Sequence, residues 1–540
     1  MSAAPVLRSG RLGMTGRRLG AERALTLSAV AAALVWAAVP IAVLAYHTLR
    51  HGGVLTGTNS PLPGADQLFY MDSIRQSGTH VLIADHFDLV LGRAVFLHPL
   101  YLLAGLAWRL GVPLQAAFWS LSLLAAPALA LGALALGGRA LMSRGERAAA
   151  VALGMFYMSP LVPLLAWTGA VGAGERFLLE LPAGESMPAW QLWGYPHSGV
   201  AVGMLALSLA GVASIASGAG TSPRARGGRK LAWIAAAAAL ASWLHPWQGA
   251  IFIATVVVLV AVARSRSLCR RLVLPVLAAA APIAYEEILV HTDAAWHLDS
   301  VQNVAPHVPA WMLLIALAPL AVPALAGLRA LDPGPWRTVL VAWPVIAVLI
   351  YLLSNEFPYH ALEGITIPLA VLAVAGWRRW PRRARLRWLG AIAILAVVLP
   401  GAALEITTLH HSLRTAAAAY WMPSSDHDAL TYLDRAHGGG GVLAPYAIGI
   451  AVPAFTGRRT WVGEFSWTPD FGVRVEEADA FFQGRTTPGQ ARSFVEAVGA
   501  RYALADCGAQ ADLPRLLGPL VVATARFGCA SVYTLRTKRS

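Results

Sequence analysis

Charged residues are scarce in this chain: Asp, Glu, Lys and Arg make up 13% of its 540 residues, whereas hydrophobic residues make up 57%. A soluble globular domain carries roughly 25% charged residues. A chain of this length with half that share cannot cover its surface with polar groups. The composition therefore excludes an ordinary soluble protein and indicates one that is largely solvated by lipid.

Lysine is almost absent, since Lys230 and Lys538 are the only two, and the net charge of +14 comes from arginine. The arginines stand in short clusters between apolar runs. That arrangement is typical of loops between membrane spans and argues against nucleic acid as a partner.

Cysteine is also rare, with three residues in the chain. We expect Cys269 to be a free thiol on the cytoplasmic side. Cys507 and Cys529 lie at the ends of consecutive strand-like segments beyond the membrane. In an oxidising compartment they form a disulfide, or they remain two buried thiols, and we favour the disulfide.

Long apolar runs fill most of the remaining sequence, and a helix needs about 20 apolar residues to cross a bilayer. We predict eleven spans, near residues 24–46, 114–137, 148–170, 198–217, 231–246, 247–263, 272–289, 310–328, 338–354, 365–377 and 388–406. The pair 231–246 and 247–263 is either a hairpin that turns at His245 and Pro246 or one long kinked element. The basic N-terminus leads into a run long enough to span, so no cleavable signal peptide is expected.

The positions of the arginines predict the orientation of these spans, because cytoplasmic loops carry the excess of basic residues. Clusters occupy residues 8–23, 139–147, 224–230, 264–271, 329–337 and 378–387. The alternate loops hold only Arg50, Arg75, Arg93, Arg109 and Arg176, together with most of the acidic residues. We therefore predict a multi-pass protein of the cell membrane whose N-terminus is cytoplasmic and whose C-terminus is extracytoplasmic.

Three regions follow from this pattern: a basic cytoplasmic N-terminus at 1–23, a transmembrane domain at 24–409 with a long first outer loop at 47–113, and an outer domain at 410–540. The last region has ordinary polarity and reads as a small α/β domain. We predict strand-like segments at 442–446, 460–462, 502–505, 513–517 and 531–535, and one helix near 489–498.

The first outer loop carries the most distinctive pattern. It contains Asp66-Gln67, then aromatic residues, Ile74-Arg75 and Ser77-Gly78, and later His98-Pro99-Leu100. Leu68, Met71 and Ile74 recur every three residues, so 66–76 is predicted to be an amphipathic interfacial helix with Asp66 at its start. The run 97–110 is too short to span and is predicted to lie at the outer interface.

These residues resemble the motifs of the GT-C-fold glycosyltransferases, which include the protein O-mannosyltransferases and the lipid A aminoarabinose transferases. The acidic pair of those enzymes is Asp66-Gln67 here, and their second motif is His98-Pro99-Leu100. The chain is also similar to uncharacterised bacterial relatives through Leu181-Pro182, Pro196-His197 and His245-Pro246. The resemblance implies a mostly α, polytopic GT-C-like bundle with a small extracytoplasmic α/β domain.

The resemblance also implies an activity: transfer of a sugar from a polyprenyl-phosphate donor to a glycan, lipid or protein acceptor of the cell envelope. Asp66 would be the general base of an inverting displacement. Cations or strong donors would bind the leaving phosphate. The predicted substrate-binding residues are Tyr70, Asp72, Arg75, Arg93, His98, His197, His245 and His360, with Arg176, Glu286 and Glu287 as further candidates.

Each of these side chains has a plainer interpretation. Asp66 could only cap its helix, the arginines could pair with nearby acids, and His197 and His245 could cap helix ends beside their prolines. Trp193 and Tyr195 could stack on a sugar, although an aromatic belt at the interface is favoured.

No cofactor is required by this hypothesis. A divalent cation is an open alternative, for which Asp85, His86 and Asp88 are weak candidates. The competing functions are a transporter or flippase of lipid-linked glycans and a non-catalytic scaffold. A transporter is disfavoured because the sequence shows no repeated halves and its acids lie in outer loops.

Overall fold

The computed structural model describes residues 9–60, 64–90, 92–218, 224–377 and 386–536. Arg8, most of the basic cluster at 378–387 and Lys538 lie outside the described residues. Up to residue 415 the described chain is almost entirely helical. Its helices are α1 Ser9–His51, α2 Gly64–His80, α3 Pro99–Arg109, α4 Leu114–Ala140, α5 Arg144–Phe156, α6 Leu161–Thr168, α7 Ala173–Ser186, α8 Pro188–Gly194, α9 Pro196–Ala216, α10 Arg224–Leu244, α11 Pro246–Ala263, α12 Arg266–Thr292, α13 Ala294–Gln302, α14 Ala310–Ala330, α15 Pro335–Leu353, α16 Thr366–Gly376 and α17 Leu386–Thr415, and a 3-10 helix covers Pro358–Leu362.

The predicted bundle of membrane helices is confirmed. In the described ranges nine helices are long and apolar enough to cross a membrane, and the pair α5 and α6, bent by 41°, makes a tenth if it counts as one span. The predicted run 231–246 coincides with α10, which is not among the nine. Its apolar part, residues 231–244, has only 14 residues and is short for a span.

Small residues let the helices approach closely where the bundle is tightest. A Cβ added to Gly203 of α9 would lie 2.5 Å from the carbonyl carbon of Ala128 in α4. One added to Gly327 of α14 would lie 2.0 Å from the carbonyl oxygen of Leu372 in α16. Close backbone contact of this kind provides van der Waals packing, which replaces the hydrophobic effect inside a bilayer.

The helix predicted at 66–76 is present as α2, but it is not an interfacial helix. Gln67, Asp72 and Gln76 on its polar side are buried, as are Met71 and Ile74 on its apolar side. The polar side is covered by other segments of the first outer loop, because Gln67 bonds to the backbone of Asn59 and Ser60 and Gln76 bonds to that of Ala84. The interfacial prediction for 97–110 fits α3 better, since Leu103 and Leu106 of that helix are about half exposed.

The C-terminal region is a four-stranded sheet with short helices around it. The remaining helices are α18 Ser424–Arg435, α19 Tyr446–Gly449, α20 Val452–Thr456, α21 Phe471–Phe482, α22 Pro488–Val498 and α23 Leu513–Leu517, and the strands are β1 Val54–Leu55, β2 Trp421–Met422, β3 Val442–Leu443, β4 Tyr502–Ala505, β5 Val521–Phe527 and β6 Ala530–Leu535. The sheet order is β3-β4-β6-β5, with β3 parallel to β4 and the other pairs antiparallel.

Two details of the predicted α/β pattern are wrong. Residues 513–517 form a helix instead of a strand, and 460–462 contribute a single bridge from Thr460 to Val442. The edge strand β5 was not predicted, because most of its side chains are exposed and it lacks the apolar pattern of a buried strand. Cys507 and Cys529 are joined by the favoured disulfide.

Contacts with the first outer loop hold the C-terminal region in place. Strand β1 of the loop pairs with β2 just before α18. Arg474 of α21 binds Asp88 at 2.6 Å, and Arg75 of α2 binds Asp434 of α18. The loop is therefore enclosed between the membrane helices and the sheet.

Candidate functional site

A cavity of about 410 Å³ lies where the first loop, the membrane helices and the C-terminal region meet. Tyr70 of α2, Trp247 of α11, Trp296 of α13 and Trp467 of the C-terminal region contribute to its wall. The C-terminal region thus completes a cavity that the membrane helices alone would leave open.

Four predicted histidines lie together in the wall of this cavity: His98, His197, His245 and His360. Their ring centroids follow one another at 5.8, 6.4 and 4.6 Å, in that order. All four stand beside a proline or two residues after one, at the start of a helix, which explains their common level in the bundle. The sequence prediction that these residues share a site is consistent with this geometry.

Two of the histidines contact buried carboxylates. His245 Nε2 lies 3.4 Å from Glu363 Oε1, and His360 Nδ1 lies 3.2 Å from the same oxygen. His360 Nδ1 is also 3.9 Å from Glu185 Oε2. Ligating atoms of His245, His360 and Glu363 lie within 4.8 Å of one another, so these three residues could hold a metal ion.

Asp66 lies beside the cavity but is not one of its lining residues. It occupies the first turn of α2, is half-buried, and accepts a 2.8 Å hydrogen bond from the Tyr195 hydroxyl at Oδ2. Burial raises the pKa of Asp66, and the hydrogen bond from Tyr195 offsets part of that rise. Because Asp66 bonds to Tyr195, a side chain from another part of the bundle, it does more than cap its own helix.

Three of the predicted binding residues are engaged elsewhere. Asp72 accepts from Gln76 and contacts His86 Nδ1 at 3.0 Å. Arg75 binds Asp434, and Arg93 is 76% exposed and lies 3.7 Å from Asp293. None of them lines the cavity, so the interpretation of these residues as structural partners describes the geometry better.

The loop proposed as a weak cation site does not converge on one point. Asp85 Oδ1 accepts from the Phe87 amide, His86 faces Asp72, and Asp88 binds Arg474. The three side chains have separate partners, and among the described residues they do not form a metal-binding group.

The plainer interpretation fails for two other side chains. His245 makes no side-chain cap hydrogen bond to α11 although it precedes that helix. Trp193 is buried, stacks on Trp36 at 4.6 Å and donates to its carbonyl, so it belongs to the core instead of a lipid-facing belt. His197 faces the Tyr101 hydroxyl at 3.3 Å.

Acidic and aromatic side chains form the other part of the wall, and most were not predicted as site residues. Glu286 and Glu287, which were weak candidates, are joined by Asp299 and Glu356. Burial raises the pKa of Asp299 to about 7. No lysine or arginine is among the described residues that line the cavity.

Trp467 was missed because it lies far along the chain from the other wall residues. It stacks on Phe69 at 5.3 Å and meets Trp296 edge-on at 5.4 Å. Only the folded arrangement of the C-terminal region over α2 brings these rings together, and no local motif marks them.

No protein-family model and no curated protein sequence matches the chain. Two crystal structures of the oligosaccharyltransferase of Archaeoglobus fulgidus are similar to it. The apo form matches with a TM-score of 0.53 and 12% identity over 92% of this chain and 73% of that one. The form tethered to an acceptor peptide matches with a TM-score of 0.52 and 14% identity over 89% and 69%. At this identity the likeness concerns architecture alone, and the chain therefore has a GT-C-like fold.

Proposed function

We propose that the chain is a membrane glycosyltransferase that moves a sugar from a polyprenyl-phosphate donor to an acceptor on the extracytoplasmic side. The observation that supports this most is the cavity of about 410 Å³, walled by four histidines and bordered by Asp66, within a GT-C fold. The volume falls in the range of small-molecule sites and fits a monosaccharide and its phosphate.

Asp66 is the proposed general base. An acceptor hydroxyl oxygen attacks the anomeric carbon, its proton passes to the Asp66 carboxylate, and the bond from that carbon to the phosphate oxygen breaks. The phosphate leaves with the bonding electrons, and the single displacement inverts the anomeric centre. Tyr195 donates to Oδ2 of Asp66, and the other carboxylate oxygen is the proposed proton acceptor.

The four histidines of the cavity wall would bind the leaving phosphate, since the predicted arginines pair with acidic residues elsewhere. An imidazole N–H group can donate a hydrogen bond to a phosphate oxygen. His98 and His197 are the members of the wall that contact no carboxylate among their described ion pairs. The acceptor remains a choice among a glycan, a lipid and a protein.

Asp66→Asn tests this proposal. In proteoliposomes supplied with a panel of polyprenyl-phosphate sugars, we expect transfer to fall by about 10²–10⁴-fold, the usual contribution of a general base. Asp428→Asn, which makes the same chemical change at an exposed position of α18, is the control and should keep its activity. Full activity in Asp66→Asn would show that Asp66 is not the general base. Movement of lipid-linked sugar across the bilayer without transfer would favour a flippase instead.

A further inference from the structure

We propose that His245, His360 and Glu363 bind a divalent transition-metal ion such as Zn²⁺, and that this ion receives the phosphate of the lipid-linked substrate. The metal site itself does not depend on the proposed function. Its role toward phosphate rests on the proposed glycosyltransferase function.

Two of the three spacings between ligand atoms match a tetrahedral metal site, and the third is at most 4.8 Å. With metal–ligand bonds of about 2.0–2.1 Å, neighbouring ligand atoms of a tetrahedral zinc lie about 3.3 Å apart. Glu363 Oε1 is 3.4 Å from His245 Nε2 and 3.2 Å from His360 Nδ1. These two distances correspond to two edges of such a tetrahedron, so these atoms could bind a metal ion without a large rearrangement.

Unpartnered atoms next to the group point to a missing ligand. Glu185 Oε1 is buried without a hydrogen-bond partner among the described residues, and Glu185 Oε2 lies 3.9 Å from His360. Glu185 is thus available as a fourth ligand. His245 is only 5% exposed, lines the cavity, and its Nδ1 also has no partner.

His245 and His360 both line the cavity, so an ion held between them would lie at its wall, next to an anionic group bound there. An imidazole that ligates a metal through Nε2 carries its proton on Nδ1, which fixes the tautomer of His245 in the metal-bound site.

Electrostatics also favour a cation here. Glu185 and Glu363 are both buried, and their described partners are His360, His245 and the neutral amides of Gln191 and Gln248. Two buried carboxylates without an arginine or lysine need compensating positive charge. The cavity offers a phosphate no described lysine or arginine either, so a divalent ion would satisfy both requirements.

The ligand types select the metal. Imidazole nitrogens suit zinc and its neighbours, whereas Mg²⁺ and Ca²⁺ prefer oxygen ligands. A set of two histidines and one carboxylate therefore favours Zn²⁺ over Mg²⁺.

Metal binding to the full-length chain, purified in detergent and stripped with a chelator, tests the site without substrate. We expect stoichiometric Zn²⁺ by calorimetry and by elemental analysis after dialysis. Glu363→Gln and His360→Gln should each bind at least about 100-fold more weakly. His98→Gln is the matched control, because His98 lines the same cavity but is not part of the group. Wild type that binds Zn²⁺ no better than Glu363→Gln would overturn the proposal and make His360 a simple counter-ion of two glutamates.

Two further measurements keep the test decisive. If the variants do not fold, the ligand-field absorption of Co²⁺ on the wild-type chain reports nitrogen and oxygen ligands directly, and its absence argues against the site. Farnesyl phosphate in micelles should bind at least tenfold more tightly to the metal-loaded chain than to the stripped chain, and equal affinity would overturn the phosphate role. Metal binding without any sugar transfer would refute the proposed function while the site stands.

Discussion

At the scale of single residues, the hydrogen bond from Tyr195 lowers the proton affinity of the proposed base. Burial raises the pKa of Asp66, and the Tyr195 hydrogen bond to its Oδ2 lowers it. A general base acts in its ionised form, so activity should be lost as the pH falls through the pKa of Asp66. Tyr195→Phe removes the bond and raises that pKa further. The acidic limb of kcat/KM against pH should therefore move to higher pH.

The control for this experiment is Tyr446→Phe. Tyr446 packs edge-on against Phe471, and its described contacts include no hydrogen bond to Asp66. The acidic limb of kcat/KM against pH in Tyr446→Phe should lie at the same pH as in the wild type. An unshifted limb in Tyr195→Phe would mean that Asp66 is not the group that titrates.

The histidines of the site were predictable from sequence, whereas their carboxylate partners were not. A titratable side chain beside a membrane span, such as that of His245, is costly and tends to mark function. Glu185 and Glu363 looked like ordinary acids of outer loops. Their burial against His360 depends on how α7 meets the 3-10 helix at Pro358–Leu362, which no local pattern encodes.

Among the elements, the segment 464–468 places Trp467 in the cavity wall. Gln302 at the end of α13 reaches the carbonyl oxygens of Phe465, Ser466 and Thr468 with one amide nitrogen, at 3.0–3.2 Å. Gln302→Leu removes these bonds and frees the segment. We expect KM for the donor to rise severalfold while kcat changes less, because the wall is disordered but Asp66 is untouched.

Gln483→Leu provides the comparison, since its amide donates to a single exposed carbonyl at Gly508 far from the cavity. Its kinetic constants should match those of the wild type. If Gln302→Leu lowers kcat and leaves KM unchanged, the segment does not help to bind the donor.

A second element, helix α21, attaches the C-terminal region to the first loop. Arg474 binds Asp88 at 2.6 Å, and both side chains are largely buried. Its guanidinium also lies 3.7 Å from the ring centroid of Trp461. Loss of one partner from a buried pair costs about 3 kcal/mol or more.

Arg474→Met should therefore lower the midpoint of thermal unfolding clearly in detergent. Arg492→Met on the exposed side of α22 should leave it nearly unchanged, because surface interactions contribute little. An equal midpoint in the two variants would show that Arg474 does not hold the region in place.

The helix at 513–517 shows how a local signal can be misjudged. Five mostly apolar residues suggested a strand, but Asp512 accepts from the Arg515 amide and Pro514 stands in the first turn. An Asp at the N-cap with a Pro in the first turn is a start signal of a helix, and it outweighs the apolar run over so short a segment.

For the whole molecule, hydropathy predicted the bundle well because lipid imposes long apolar runs along the chain. The orientation that the arginine counts predict stays a prediction. The burial of α2 was missed because irregular contacts within a loop leave no periodicity to detect. Its apolar stripe indicates one buried side, whereas Asp72 and Gln76 on the other side are buried against His86 and Ala84 of the same loop.

The predicted orientation of the whole chain can be tested with its three cysteines. Cys269 is exposed in the first turns of α12 and should face the cytoplasm, whereas the disulfide between Cys507 and Cys529 should lie on the opposite side. A membrane-impermeant maleimide should leave intact cells unlabelled and should label Cys269 once they are permeabilised. After a reductant is added to intact cells, the label should appear at Cys507 and Cys529. Cys269→Ser should abolish only the first signal, and labelling of Cys269 in intact, unreduced cells would invert the predicted orientation, because the arginine clusters would then lie on the outer side.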